Sequence, residues 1–221
     1  MAVKRVMFIR PGETAWNKNG RWQGHVAVPL NEHGQAQAKR LAKFIRPIGL
    51  TALYSSDLRR ARDTAEIIAQ YTDLKPIYDP RLRERGMGDW QGMTLDEIVV
   101  WYPESYQRVQ ADPQGFQVPG GESRRQVAER VRMAFDDIIG RGGDTVGIIT
   151  HTTALRSLLD ELVPDSDAYN LYFKNMSVTT IMRQEDGLWR ITQLDDVTHL
   201  EGVSSAAFYE LEEGKKNDSS D

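Results

Sequence analysis

The chain has 221 residues, 40% of them hydrophobic and 27% charged, enough to bury a sizeable core within one domain. A formal net charge of -4 and a sequence pI near 5.7 argue against nucleic-acid binding, which calls for a basic surface, so any anion site must be locally basic. With no cysteine, disulfides, thiolate metal ligands and cysteine nucleophiles are excluded, and a reducing compartment is suited, the cytoplasm being the expected location.

Val3 to Ile9 is β-branched and apolar and reads as a first strand. It is too short for a signal-peptide core or a membrane span, so no membrane association is expected. The strand stops at Arg10-Pro11-Gly12. From Asn31, Gln37, Leu41, Phe44 and Ile45 recur at helical spacing until Pro47 and Gly49 end the run, and Thr51 to Ser55 forms a second strand. Ser56 and Asp57 are N-cap candidates for a helix with Leu58, Ala61, Ala65, Ile68 and Ala69 on its apolar face and Arg59, Arg60, Arg62 and Asp63 on its polar face.

A third strand is expected near Pro76 to Tyr78, followed by an irregular stretch from Asp79 to Gly92. Thr94 to Gln110 reads as helix interrupted at Pro103, and Asp112 to Gly121 as a Pro- and Gly-rich surface stretch; together, residues 94–121 form a substrate-side excursion that can act as a lid. Beyond Gly121-Glu122-Ser123 a long helix places Val127, Val131, Phe135 and Ile138 on one face. Thr145 to Thr150 has the apolar character of a central parallel strand, with His151 just past it and Ala154, Leu155, Leu158 and Leu159 opening the next helix. Val178 to Arg183 and Trp189 to Leu194 are two late strands joined at Glu185-Asp186-Gly187. The recurring strand-to-helix junctions predict an α/β fold, a mostly parallel sheet flanked by helices, in a single domain over residues 1–209. The polar end, Glu210 to Asp221, is expected to be a disordered tail.

Arg10, Arg60 and His151 all follow strands, and the carboxyl ends of strands line the ligand crevice of open α/β sheets. Two guanidiniums and an imidazole suit a phosphate. Spacing alone leaves a blander alternative standing, in which the arginines are solvated and the histidine is structural.

The surrounding residues are more specific. Phe8-Ile9-Arg10-Pro11-Gly12-Glu13-Thr14, with Asn17 beyond, resembles the opening signature of the histidine phosphatase superfamily, also called phosphoglycerate-mutase-like. That family normally reads Arg-His-Gly-Glu-Thr, so Pro11 stands where the resemblance places the nucleophilic histidine. Arg21-Trp22-Gln23-Gly24 with Pro29-Leu30-Asn31 resembles its next block, with Ala27 in place of the common aspartate. Tyr54 to Thr64 resembles the second phosphate-binding segment, which maps the phosphate arginine onto Arg60. Leu82-Arg83-Glu84 resembles the segment of the proton donor, mapping it onto Glu84, and Ile148-Ile149-Thr150-His151 the strand ending in the second histidine. Thr152 and Thr153 replace the usual glycines there and are expected to narrow the pocket.

The blocks span residues 3–160 in family order and imply a phosphoglycerate-mutase-like fold, and the modest excursion between Glu84 and Glu122 resembles the phosphatase-like branch. They also imply catalytic roles for Glu84 and His151, phosphate binding by Arg10, Asn17, Arg60 and His151, and no cofactor. No metal is expected either, since His25, His33 and His199 lack metal-ligand spacing and read as surface or structural residues. Proline has neither a side-chain nitrogen nor an N–H. The expected function is therefore a catalytically impaired member that binds phosphate or a phosphomonoester, as a homo-oligomer or in a hetero-oligomer with an active paralogue. The alternative is a weak phosphomonoesterase using His151 or a water activated by Glu84.

Overall fold

A computed structural model describes residues 2–201 of the chain. In chain order the elements are β1 (Arg5–Ile9), α1 (Ala15–Lys18), α2 (Glu32–Ile45), β2 (Ala52–Ser55), α3 (Arg59–Thr72), β3 (Ile77–Tyr78), α4 (Leu95–Trp101), α5 (Pro103–Ala111), α6 (Arg124–Gly140), β4 (Thr145–Ile149), α7 (Thr152–Leu162), β5 (Val178–Arg183) and β6 (Trp189–Asp196). The six strands form one sheet in the order β3-β2-β4-β1-β5-β6. β1, β4, β2 and β3 run parallel, while β5 and β6 are antiparallel additions, giving the mostly parallel, helix-flanked sheet that the sequence predicts.

Strand alternation divides the core into two layers. Val6 and Phe8 of β1 pack with Val146 and Ile148 of β4 against Val127, Val131, Phe135 and Ile138 of α6 and Leu155, Leu158 and Leu159 of α7. On the other face, Met7, Ile9, Leu53 and Ile149 meet Leu41 and Ile45 of α2 and Ala61, Ala65 and Ile68 of α3. Each of the larger side chains, fully buried, contributes about 1.5–3 kcal/mol. A third cluster of Met87, Trp90, Ile98, Phe116 and Val118 underlies the excursion. The stretch from Asp112 to Gly121 is therefore more than surface: it sends Phe116 and Val118 inward to anchor itself.

Three local expectations need correcting. Phe44, placed in the apolar stripe of α2, is 38% exposed, because Leu41 and Ile45 already fill the contact with the sheet. The N-cap of α3 is Leu58, without a side-chain cap, because Asp57 faces Arg83 and Ser56 faces His151. Arg60, assigned to the polar face of α3, is only 4% exposed. The third strand is confined to Ile77–Tyr78, and the irregular stretch that follows holds two short 3₁₀ turns, at Pro80–Leu82 and Gly88–Trp90. The expected tail from Glu210 to Asp221 lies outside the described residues.

Candidate active site

The parallel ladder decides what meets at the carboxyl edge of the sheet. Ile9 of β1 and Ser55 of β2 both pair with Ile149 of β4. The ladder continues beyond the strands, with Thr150 N donating to the Ile9 carbonyl at 3.0 Å and Ser56 N to the Ile149 carbonyl at 2.9 Å. Arg10-Pro11, Ser56 and Thr150-His151 thus leave adjacent strands at one level. Pro11 and His151 occupy equivalent places, each two residues past a paired strand end.

Pro11 is buried and held through its carbonyl, which accepts from Asn175 Nδ2 at 3.0 Å and Met176 N at 3.3 Å. Gly12 N donates to Thr64 Oγ1 at 3.2 Å. The main chain here runs so close to α2 that a Cβ on Gly12 would lie 2.7 Å from the Gly34 carbonyl oxygen. Asn17 caps α1 reciprocally with Thr14, its Oδ1 accepting from Thr14 N at 3.1 Å, which leaves its Nδ2 as the group available to a ligand.

Arg10 donates from Nη1 to the Phe173 carbonyl. Arg60 donates from Nη2 to the Gly24 carbonyl at 3.0 Å and from Nη1 to Val26 at 3.4 Å. Gly24 presents that carbonyl from a left-handed conformation, φ +51°, where a Cβ would also strike Gln91 Oε1 at 2.3 Å. These contacts fix each guanidinium plane and leave further N–H groups on each side chain. Burial, together with Arg10, draws the Arg60 guanidinium down to about 10 against the attraction of Glu84, so it remains charged at neutral pH.

His151 is 4% exposed, with Nε2 at 2.9 Å from Ser56 Oγ. Burial first, then Arg60 and Arg10, hold its pKa well below the ordinary histidine value, so at neutral pH the imidazole is uncharged.

The Glu84 carboxylate reaches the first turn of α7. Thr153 N donates to its Oε1 at 3.1 Å and Oε2 at 3.2 Å, and Arg85 N to Oε1 at 2.7 Å. Thr153, expected to narrow the pocket, has a main-chain role here: its amide seats the Glu84 carboxylate against the N-terminal end of α7.

The sequence reading missed what lies beneath Glu84. Glu122 receives Arg130 Nε at 2.8 Å and the Gly86 amide at 2.7 Å. His25, read as surface or structural, places Nε2 at 2.7 Å from the Glu84 carbonyl and 3.5 Å from Glu122 Oε2. Burial opposes the charge on Glu122, but hydrogen bonds from His25, Arg130 and the Gly86 amide prevail and hold it well below the carboxylate range. Gly121-Glu122-Ser123 was legible only as a helix entry, and nothing in the local pattern ties it to Glu84 38 positions earlier. Away from this edge, Trp90 is core and Trp101 is 73% exposed, while His199 stacks on Phe44 at 5.4 Å. Among the described residues no group of three or more His, Asp or Glu is placed to hold a metal, and no helix is long and apolar enough to cross a membrane.

The family model described as histidine phosphatase superfamily (branch 1) matches residues 6–197. A metal-independent phosphoserine phosphatase of Arabidopsis thaliana is 36% identical over 208 residues, covering 91% of this chain and 85% of the relative. A probable phosphoglycerate mutase, GpmB, of Erwinia tasmaniensis is 33% identical over 208 residues, covering 90% and 96%. Among solved structures, a mycobacterial glucosyl-3-phosphoglycerate phosphatase complexed with VO3 superposes with a TM-score of 0.79 at 29% identity, covering 88% of this chain and all of that one.

Proposed function

The chain belongs to the histidine phosphatase superfamily, and from that premise we propose that it binds inorganic phosphate or a phosphomonoester with Arg10, Asn17, Arg60 and His151 but forms no phosphohistidine at position 11. One observation carries this reading. Pro11 and His151 stand at equivalent levels on neighbouring strands, and the position that the resemblance maps to the nucleophile holds a residue with no side-chain nitrogen to offer.

The chemistry follows from the parts. Phosphoryl transfer depends on positioning and on stabilising charge spread over the phosphoryl oxygens. The two fixed guanidiniums supply that stabilisation, and the uncharged His151 acquires a proton when a dianion offsets its cationic neighbours. Glu84 is the group poised to protonate a leaving oxygen. What is missing is the nucleophile that would divide one difficult displacement into two. The names of the relatives point to phosphorylated small molecules as ligands. We assign the described part of the expected domain, residues 2–201, to one folded unit whose excursion, 94–121, shapes the outer pocket, while residues 202–209 lie outside the described residues. An impaired cytoplasmic chain of this kind serves naturally beside an active paralogue.

The test is hydrolysis of a panel of small phosphomonoesters by the natural chain and by Pro11→His. The variant is expected to exceed the natural chain by about 10³-fold or more. A second reading draws on the uncharged His151 and the retained Glu84, which are suited to direct attack or water activation. Equal, robust turnover by both proteins, abolished by His151→Gln or Glu84→Gln, would establish that reading and overturn the first.

A further inference from the structure

We propose that Arg130 and Glu122, assisted by His25, form a half-buried clamp that positions Glu84 by holding the main chain on either side of its carboxylate. Glu84 lies in the irregular stretch after β3, where no ladder fixes the backbone. Arg130 replaces that ladder with its guanidinium. Nη1 donates to the carbonyls of Arg81 at 2.8 Å and Arg83 at 2.7 Å, and Nη2 to that of Glu84 at 2.8 Å. The remaining N–H groups bind Glu122, Nε to Oε1 at 2.8 Å and Nη2 to Oε2 at 2.9 Å. All five donors of the guanidinium are thereby engaged.

Glu122 completes the clamp from the other side. Its Oε2 accepts from the Gly86 amide at 2.7 Å, and its carbonyl accepts from Arg85 Nε at 2.6 Å. His25 Nε2 adds a second donor to the Glu84 carbonyl. Every residue from Arg83 to Gly86 is thus tied to Arg130 of α6, to Glu122 just ahead of that helix or to His25, while the Glu84 side chain alone reaches across to Thr153 N. A lysine offers a point charge with three donors and no planar fork, so it cannot address three carbonyls and a carboxylate together. Arg130 and Glu122 act through Glu84 and are positioning residues.

This inference rests on the reading of Glu84 as the acid, and two measurements separate the two ideas. In the natural chain, the Thr153 amide resonance reports the Glu84 carboxylate. Glu84→Gln shifts it, and Arg130→Met and Glu122→Gln are expected to shift it by at least half as much, whereas Arg132→Gln, in an exposed pair, leaves it in place. A Thr153 amide unmoved in both clamp variants would overturn the clamp. Arg130→Lys keeps the charge and provides the same readout should Arg130→Met fail to fold.

In the Pro11→His background, the clamp variants are expected to lose about tenfold or more in kcat on alkyl phosphates, which need a protonated leaving group. They should lose less than about twofold on p-nitrophenyl phosphate, which does not need one. Equal losses on both esters would make the effect merely structural and sink the proposal. Should Pro11→His stay inactive on every ester, the assignment of the site fails, and the Thr153 resonance still decides the clamp.

Discussion

The ends of β1 and β4 are neighbours in register, yet their contributions to the site differ in kind. At the end of β4, His151 presents a side chain whose charge depends on what lies beside it, tied to Ser56 Oγ at 2.9 Å and shadowed by Arg60 and Arg10. At the end of β1, Pro11 presents only a carbonyl, engaged by Asn175 and Met176. The same parallel ladder fixes the backbone at both ends, so the difference between them lies in the side chains. A proline favours an extended residue before it, which suits Arg10 directly after the end of β1.

That contrast can be tested from several directions. The largest effect is expected at the shared anion donors. Arg60→Met should weaken inorganic phosphate binding about thirtyfold, or about 2 kcal/mol, measured by titration calorimetry, because a charged hydrogen-bond partner is lost in a buried setting. A change under twofold would mean that the two strand ends do not enclose an anion site.

The β4 end should also make the fold sensitive to acid. The pKa of His151 lies well below its unfolded value near 6.5, so the unfolded chain binds the extra proton first. Stability from this group is complete above about pH 6.5 and falls below it by about 1.4 kcal/mol per pH unit until the folded pKa is reached. Urea unfolding at a series of pH values should show this slope in the natural chain and a shallower one in His151→Gln. Parallel slopes would remove the distinction between the two ends.

The β1 end should be nearly indifferent to its side chain. Pro11→Ala is expected to change stability by less than about 1 kcal/mol, since the carbonyl contacts remain and only backbone freedom changes. A loss above about 2 kcal/mol would show that the proline ring itself supports the pocket. The smallest effect belongs to the excursion, where Trp101→Ser at a 73% exposed position should shift the unfolding free energy by less than about 0.5 kcal/mol.

Much of this molecule was legible in local sequence. The apolar run from Thr145 to Thr150, the helical spacing of Val127 to Ile138 and the strand stop at Arg10-Pro11-Gly12 record short-range rules of burial and backbone freedom; α6 and the end of β1 formed where those rules put them, and β4 one residue shorter. The order of motif blocks likewise made the family readable. Three things were decided only by the tertiary structure. Arg60 became buried because the Gly24 and Val26 carbonyls fold over it from 34 or more positions away. Glu84 found its amide donor at Thr153, and the Glu122–Arg130 pair closed around the Glu84 main chain, both through contacts between segments far apart in sequence. Local patterning specifies which face of an element is apolar. It carries no record of which distant carbonyl or carboxylate will satisfy a buried charge, because that partner is selected by chain packing and by the cost of leaving the charge unpaired.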